Sequence, residues 1–73
     1  MIEVRLFAGL RQGRQKIYQK ESDSISTVQD IMARLSIDRK DVNILLINGF
    51  HQKPETEVKD GDIVSLFPAV GGG

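Results

Sequence analysis

The last four residues, Val70-Gly71-Gly72-Gly73, are the ones whose type and order point to chemistry. Glycine has no side chain to bury and the most backbone freedom to lose on ordering, so a glycine run does not build a core. What it offers is slimness. An extended Gly-Gly segment passes through a channel that any Cβ would block, and it would present the Gly73 carboxylate to a catalyst held by another protein. The expectation is a carrier whose reactive group is its own C-terminal carboxylate, with Val70, Gly71 and Gly72 as the arm that delivers it. The competing reading is a frayed end or a linker remnant, and the residues before the tail argue against it.

Elsewhere the chain has little equipment for catalysis. It contains no cysteine, which excludes disulfides, thiolate nucleophiles and Cys-ligated metals. Its one histidine, His51, excludes a multi-His metal site within one chain, so neither a metal nor a bound cofactor is expected. His51 has no evident acid, nucleophile or second ligand to work with and reads as a solvent-facing hairpin residue. Ten Lys plus Arg balance ten Asp plus Glu, which argues against a general nucleic-acid binder. Arg11, Arg14, Lys16 and Lys20 nevertheless cluster locally. They read first as a solvated basic face and second as a steering patch for an acidic partner. No signal pattern and no apolar run of membrane-spanning length is seen, so a cytoplasmic protein without a membrane role is expected.

The elements that must position the tail can be read from hydrophobic periodicity. Met1 to Phe7 alternates strictly, with Ile2, Val4 and Leu6 on one side and Glu3, Arg5 and Phe7 on the other, a strand with one buried face. A loop over Ala8 to Gln15 leads to a short strand over Lys16 to Lys20, and the two strands make a hairpin. After a polar connection, Ser26 or Thr27 caps a helix whose Val28, Ile31, Met32 and Leu35 form one apolar stripe. Ser36 to Asp41 reads as irregular, with Ile37 tucked under. Val42 to Ile47 is a third strand, Asn48-Gly49 a tight hairpin turn, and Phe50 to Gln52 a short returning strand. Val58 plugs the core from the loop that follows. Asp60-Gly61-Asp62 turns into the last strand, Ile63 to Phe67, and Pro68 ends it for want of an N–H.

This order is α+β: a mixed sheet of four to five strands with one main helix packed across it, the β-grasp or ubiquitin-like arrangement. The cleanest patterns belong to the first and last strands, which are expected side by side at the centre. Residues 1–68 would be the domain and 69–73 a flexible tail. The same alternation that buries Leu6 and Leu66 puts Phe7 and Phe67 on the opposite, open face. With Ile63, and with Pro68 at the start of the tail, they are expected to make a partner-binding patch.

The stretch Asp60-Gly61-Asp62 through Phe67-Pro68-Ala69-Val70-Gly71-Gly72-Gly73 resembles the MoaD/ThiS sulfur carriers, whose MoaD pattern ends D-G-D, a strand, then F-P-P-V-x-G-G. Ala69 stands at the second proline. Val4-Arg5-Leu6-Phe7-Ala8-Gly9-Leu10-Arg11 is similar to the MoaD start, where the first strand runs into F-A-x-x-R. The Asn48-Gly49 turn and the Ala-Val-Gly-Gly-Gly ending are equally at home in ThiS. The resemblance implies that an E1-like adenylyltransferase of the MoeB/ThiF type uses ATP to adenylate Gly73. A sulfurtransferase then supplies the sulfur for a thiocarboxylate. It further implies insertion of the tail into the molybdopterin synthase large subunit, of the MoaE type, the chain being a small subunit with no catalytic residues of its own. A ThiS-type carrier for thiamine thiazole synthesis and a ubiquitin-like modifier joined to lysines through Gly73 are the alternatives.

Overall fold

The computed structural model describes residues 1–69. Five strands and one α-helix follow in the order β1 (Ile2–Leu6), β2 (Ile17–Lys20), α1 (Val28–Arg34), β3 (Val42–Ile47), β4 (Phe50–His51) and β5 (Ile63–Pro68). The sheet order is β2-β1-β5-β3-β4. β1 runs parallel to β5, with Val4 opposite Val64 and Leu6 opposite Leu66, and the remaining pairs are antiparallel. The first and last strands are therefore neighbours at the centre, as the sequence predicts. This is a β-grasp fold.

The period-2 pattern decides which side is the core. Ile2, Val4 and Leu6 of β1, Leu45 and Ile47 of β3 and Val64 and Leu66 of β5 all face the helix and are buried. Val28, Ile31 and Met32 meet them from α1. Leu35, expected in the core, is only partly buried, because the helix has already ended at Arg34 and Leu35 is its C-cap. Four further apolar residues close the core from the connections: Leu10, Ile25, Ile37 and Val58. Leu10 is carried by a 3-10 turn over Ala8–Arg11, in what the sequence reads as an irregular loop.

The N-terminus of α1 is closed by side chains and its C-terminus by a backbone turn. Thr27 caps it: its hydroxyl accepts from the Asp30 N–H, and the Asp30 carboxylate accepts from the Thr27 N–H at 3.1 Å. Of the two caps the sequence offers, Ser26 and Thr27, the fold uses Thr27, with Asp30 as its reciprocal partner. At the other end Ser36 takes a left-handed conformation, φ 57°. The Ile37 N–H then reaches the Met32 carbonyl at 2.8 Å and the Ser36 N–H reaches Ala33 at 3.2 Å, a Schellman closure. Asn48 and Gly49, with φ of 53° and 88°, make the hairpin turn into β4. The Asn48 amide also tethers this turn to the start of β5, donating to Asp62 and accepting from the Ile63 N–H, each at 3.0 Å.

Candidate functional site

The tail is launched by β5, so the site is the surface around the end of that strand. Phe7 and Phe67 sit there because β1 and β5 run parallel and in register. Leu6 faces Leu66, and the Phe7 N–H donates to the Leu66 carbonyl at 3.2 Å. One residue further on, both phenylalanines project to the open face. Their rings stack with centroids 4.2 Å apart and planes 10° from parallel. The Arg11 guanidinium lies over Phe7, 5.5 Å from the ring centroid. Its Nε donates to the Leu6 carbonyl at 2.8 Å, which holds the charge in place. The rings are half-buried and stacked on one another, so the patch is preformed rather than loose.

Ile63 shares this open face but lies four residues back along β5, about 13 Å from Phe67, with Ser65 between them. The aliphatic neighbours of the stacked rings are instead on β3. Ile44 pairs with Phe67 and Leu46 with Ser65, and both are half-buried. The signal for them was present in the run Val42–Ile47, since burying Leu45 and Ile47 turns Ile44 and Leu46 outward. An extra residue at the start of β3 lets Val42 face Pro68 while Ile44 faces Phe67. Pro68 alternates to the other side. It lines a hollow with Ala69, Gly9, Leu10 and Lys40, at the point where the described chain ends. The arm residues Val70, Gly71, Gly72 and Gly73 lie outside the described residues.

The basic cluster separates into two kinds of residue. Arg14 is a structural clamp. Its guanidinium donates to the carbonyls of Leu10, Leu35 and Ser36 at 3.0–3.1 Å, tying the first loop to the C-terminus of α1. Lys16, exposed just before β2, and Lys20, half-buried at its end, make no ion pair among the described residues. His51 is exposed on β4, opposite Leu46 and two strands from β5. Among the described residues no group of His, Asp and Glu could hold a metal ion. No described helix is long and apolar enough to cross a membrane.

Two carboxylates are held below their ordinary range. Asp30 is lowered chiefly by the N–H groups of Ser26 and Thr27, and Glu3 by hydrogen bonds from Arg5 and then Gln19. Both serve structure: Asp30 closes the helix cap and Glu3 links β1 to β2.

The ThiS family model matches residues 4–73. SAMP1 from Haloferax volcanii is 25% identical, with a TM-score of 0.75 over 99% of this chain and 98% of that one. A putative molybdopterin converting factor subunit 1 from Pyrococcus furiosus is 28% identical, with a TM-score of 0.72 over 94% and 97%. The complex of subunits 1 and 2 of the molybdopterin-converting factor from Helicobacter pylori contains a chain 25% identical, with a TM-score of 0.63 over 99% and 97%. No curated protein matches the chain. A family match over nearly the whole sequence, a β-grasp fold and an open aromatic face at the root of a glycine arm agree: the chain belongs to the ThiS family, as a ubiquitin-like sulfur carrier of the ThiS/MoaD type.

Proposed function

We propose that the chain carries sulfur as a thiocarboxylate on Gly73 and donates it in molybdopterin synthesis as the small subunit of molybdopterin synthase. The single observation that carries this reading is the likeness to molybdopterin converting factor subunit 1 over almost the full length of both chains. The F-A-x-x-R start, which here becomes the Phe7–Phe67–Arg11 stack, supports it.

The chemistry follows from the nature of a carboxylate, which is a poor electrophile until one oxygen becomes a good leaving group. An E1-like adenylyltransferase supplies ATP. The Gly73 carboxylate attacks the α-phosphorus, pyrophosphate leaves and an acyl-adenylate forms. Hydrosulfide delivered by a sulfurtransferase adds to the carbonyl carbon, AMP leaves as the C–O bond to the phosphate oxygen breaks, and loss of the S–H proton gives the thiocarboxylate. The folded body docks through the Phe7, Phe67, Ile44 and Leu46 face, and the arm reaches from there into the partner's active site. Fixing three glycines costs on the order of 3–6 kcal/mol. Burial of about 200 Å² of apolar face on docking returns roughly 5 kcal/mol. In molybdopterin synthase a large subunit of the MoaE type receives the arm.

The test is ATP-dependent thiocarboxylate formation with the cognate activating enzyme and a sulfur donor, read by intact-protein mass as one oxygen-for-sulfur exchange. Removal of Gly73 shortens the reach by about 3.5 Å and should abolish conversion, as should one residue added after it. Equal conversion of native, shortened and extended chains would defeat the proposal. The likeness to a protein described as small archaeal modifier protein 1 favours one second reading, attachment of Gly73 to lysines of other proteins. That reading requires Gly73 in isopeptide linkage to larger species, where a carrier leaves a free thiocarboxylate.

A further inference from the structure

We propose that the free edge of β2, together with the groove between β2 and α1, binds an extended acidic peptide segment of a partner protein by strand addition. The proposal is independent of the carrier reading, because it concerns the β2 edge of the sheet, two strands from the one that leads into the arm.

β2 is an edge strand, paired only with β1. The Leu6 N–H donates to the Lys16 carbonyl, which fixes the phase of the ladder: Lys16, Tyr18 and Lys20 turn their backbone groups inward to β1. Ile17 and Gln19 therefore point their N–H and C=O groups outward, a row of two donors and two acceptors at strand spacing. Side chains on the helix side of β2 border a groove of about 510 Å³, lined by Arg14, Tyr18, Lys20, Arg34 and Leu35. Tyr18 and Leu35 are half-buried, and the Lys20 ammonium lies over the Tyr18 ring, 5.2 Å from its centroid. On the opposite face Ile17 is 49% exposed.

Charge specifies the occupant. From Ala8 to Lys20 the sequence has four cations, Arg11, Arg14, Lys16 and Lys20, and no acid. Arg34 adds a fifth from the helix. The ion pairs among the described residues involve none of Lys16, Lys20 and Arg34. The nearest helix carboxylate, Asp30, is turned to the Ser26 and Thr27 N–H groups. A second copy of this chain would bring the same cations edge to edge and be repelled. A strand with carboxylates on its groove-facing side and aliphatic residues on the other would meet Lys20 and Arg34 on one face and Ile17 on the other. Nucleic acid would satisfy the cations but not the outward N–H and C=O row, which requires a peptide backbone. An added strand lies three spacings of about 4.8 Å from β5, so a partner holding β2 leaves the Phe7–Phe67 face free for a catalyst.

The experiment titrates the native chain with a blocked heptapeptide alternating glutamate and valine, followed by amide hydrogen exchange and NMR shifts. Strand addition slows exchange at Ile17 and Gln19 and leaves Tyr18, already bonded to β1, unchanged. The Lys20→Glu/Arg34→Glu variant weakens binding by at least about tenfold, two reversed exposed pairs, and the lysine–valine peptide does not bind. Equal binding of the lysine–valine peptide would overturn the proposal. So would shifts confined to the open face, binding without protection at Ile17 and Gln19, or equal occupancy by a short oligothymidylate.

Discussion

Arg14 illustrates how a residue's role depends on what the fold brings to it. A surface cation in sequence, it becomes a three-pronged clamp that caps the Leu35 and Ser36 carbonyls at the end of α1 and holds the Leu10 carbonyl of the first loop. Replacing Arg14 with Ala should cost about 1–3 kcal/mol, read from urea midpoints, and Lys should restore only part, since an ammonium cannot span three carbonyls in a plane. Asp30 makes a second prediction at this scale. Its folded-state affinity for a proton is lowered, so between its folded value and the ordinary one the unfolded chain binds more protons. Its contribution is present above the ordinary carboxylate value of about 3.9 and is lost as pH falls through the lowered folded value. Glu3 acts in the same direction. Asp30→Asn should therefore flatten the acid limb of stability below about pH 4, checked by urea unfolding from acidic to neutral pH. An unchanged acid slope would remove Asp30 from the account.

Among the elements, α1 is short, and its closure matters more than its propensity. Ser36 holds a left-handed conformation that costs an L-residue about 1–2 kcal/mol, while glycine bears an entropic cost of about 0.5–1 kcal/mol instead. Ser36→Gly should raise stability by about 0.5–1 kcal/mol, seen as a higher thermal midpoint, with the docking face untouched. The strand pair β1–β5 is the other decisive element. Its parallel register is what stacks Phe7 on Phe67, so the aromatic face is a product of pairing rather than of either strand alone.

For the whole molecule, the sheet separates two surfaces. The helix side is sealed by α1 and by Leu10, Ile25, Ile37 and Val58 from the connections, and the open side carries Phe7, Phe67, Ile44 and Leu46 beside the root of the arm. Phe67→Ala should weaken association with the cognate activating enzyme by roughly 2 kcal/mol if the stack is its anchor. It should also cost the fold about 0.5–1.5 kcal/mol, because the lost stacking partner is intramolecular. Ile63→Ala, on the same face but remote from the arm, should affect binding far less. Calorimetry with the purified enzyme, alongside unfolding curves, separates the two effects, and equal losses at both positions would argue against a focused anchor.

Local patterns determined much of this protein. Strict alternation in Ile2–Leu6 and Ile63–Phe67, the 3.6-residue stripe in α1 and the Asn48-Gly49 turn are signals carried by neighbours in sequence, and each formed the element expected of it. The chemistry proposed for the arm rests on the sequence alone, at Val70–Gly73. Tertiary structure decided what depends on residues far apart in the chain. Arg14 found carbonyls more than twenty positions away. Ile44 and Leu46, rather than Ile63, became the neighbours of the stacked rings. Leu35 was released from the core by a helix that ended one residue earlier than its stripe. The basic cluster was divided between a half-buried clamp and an open strand edge. None of these is encoded in local periodicity, because each depends on where the helix ends and what packs against it, or on which strand lies next to which and in what register.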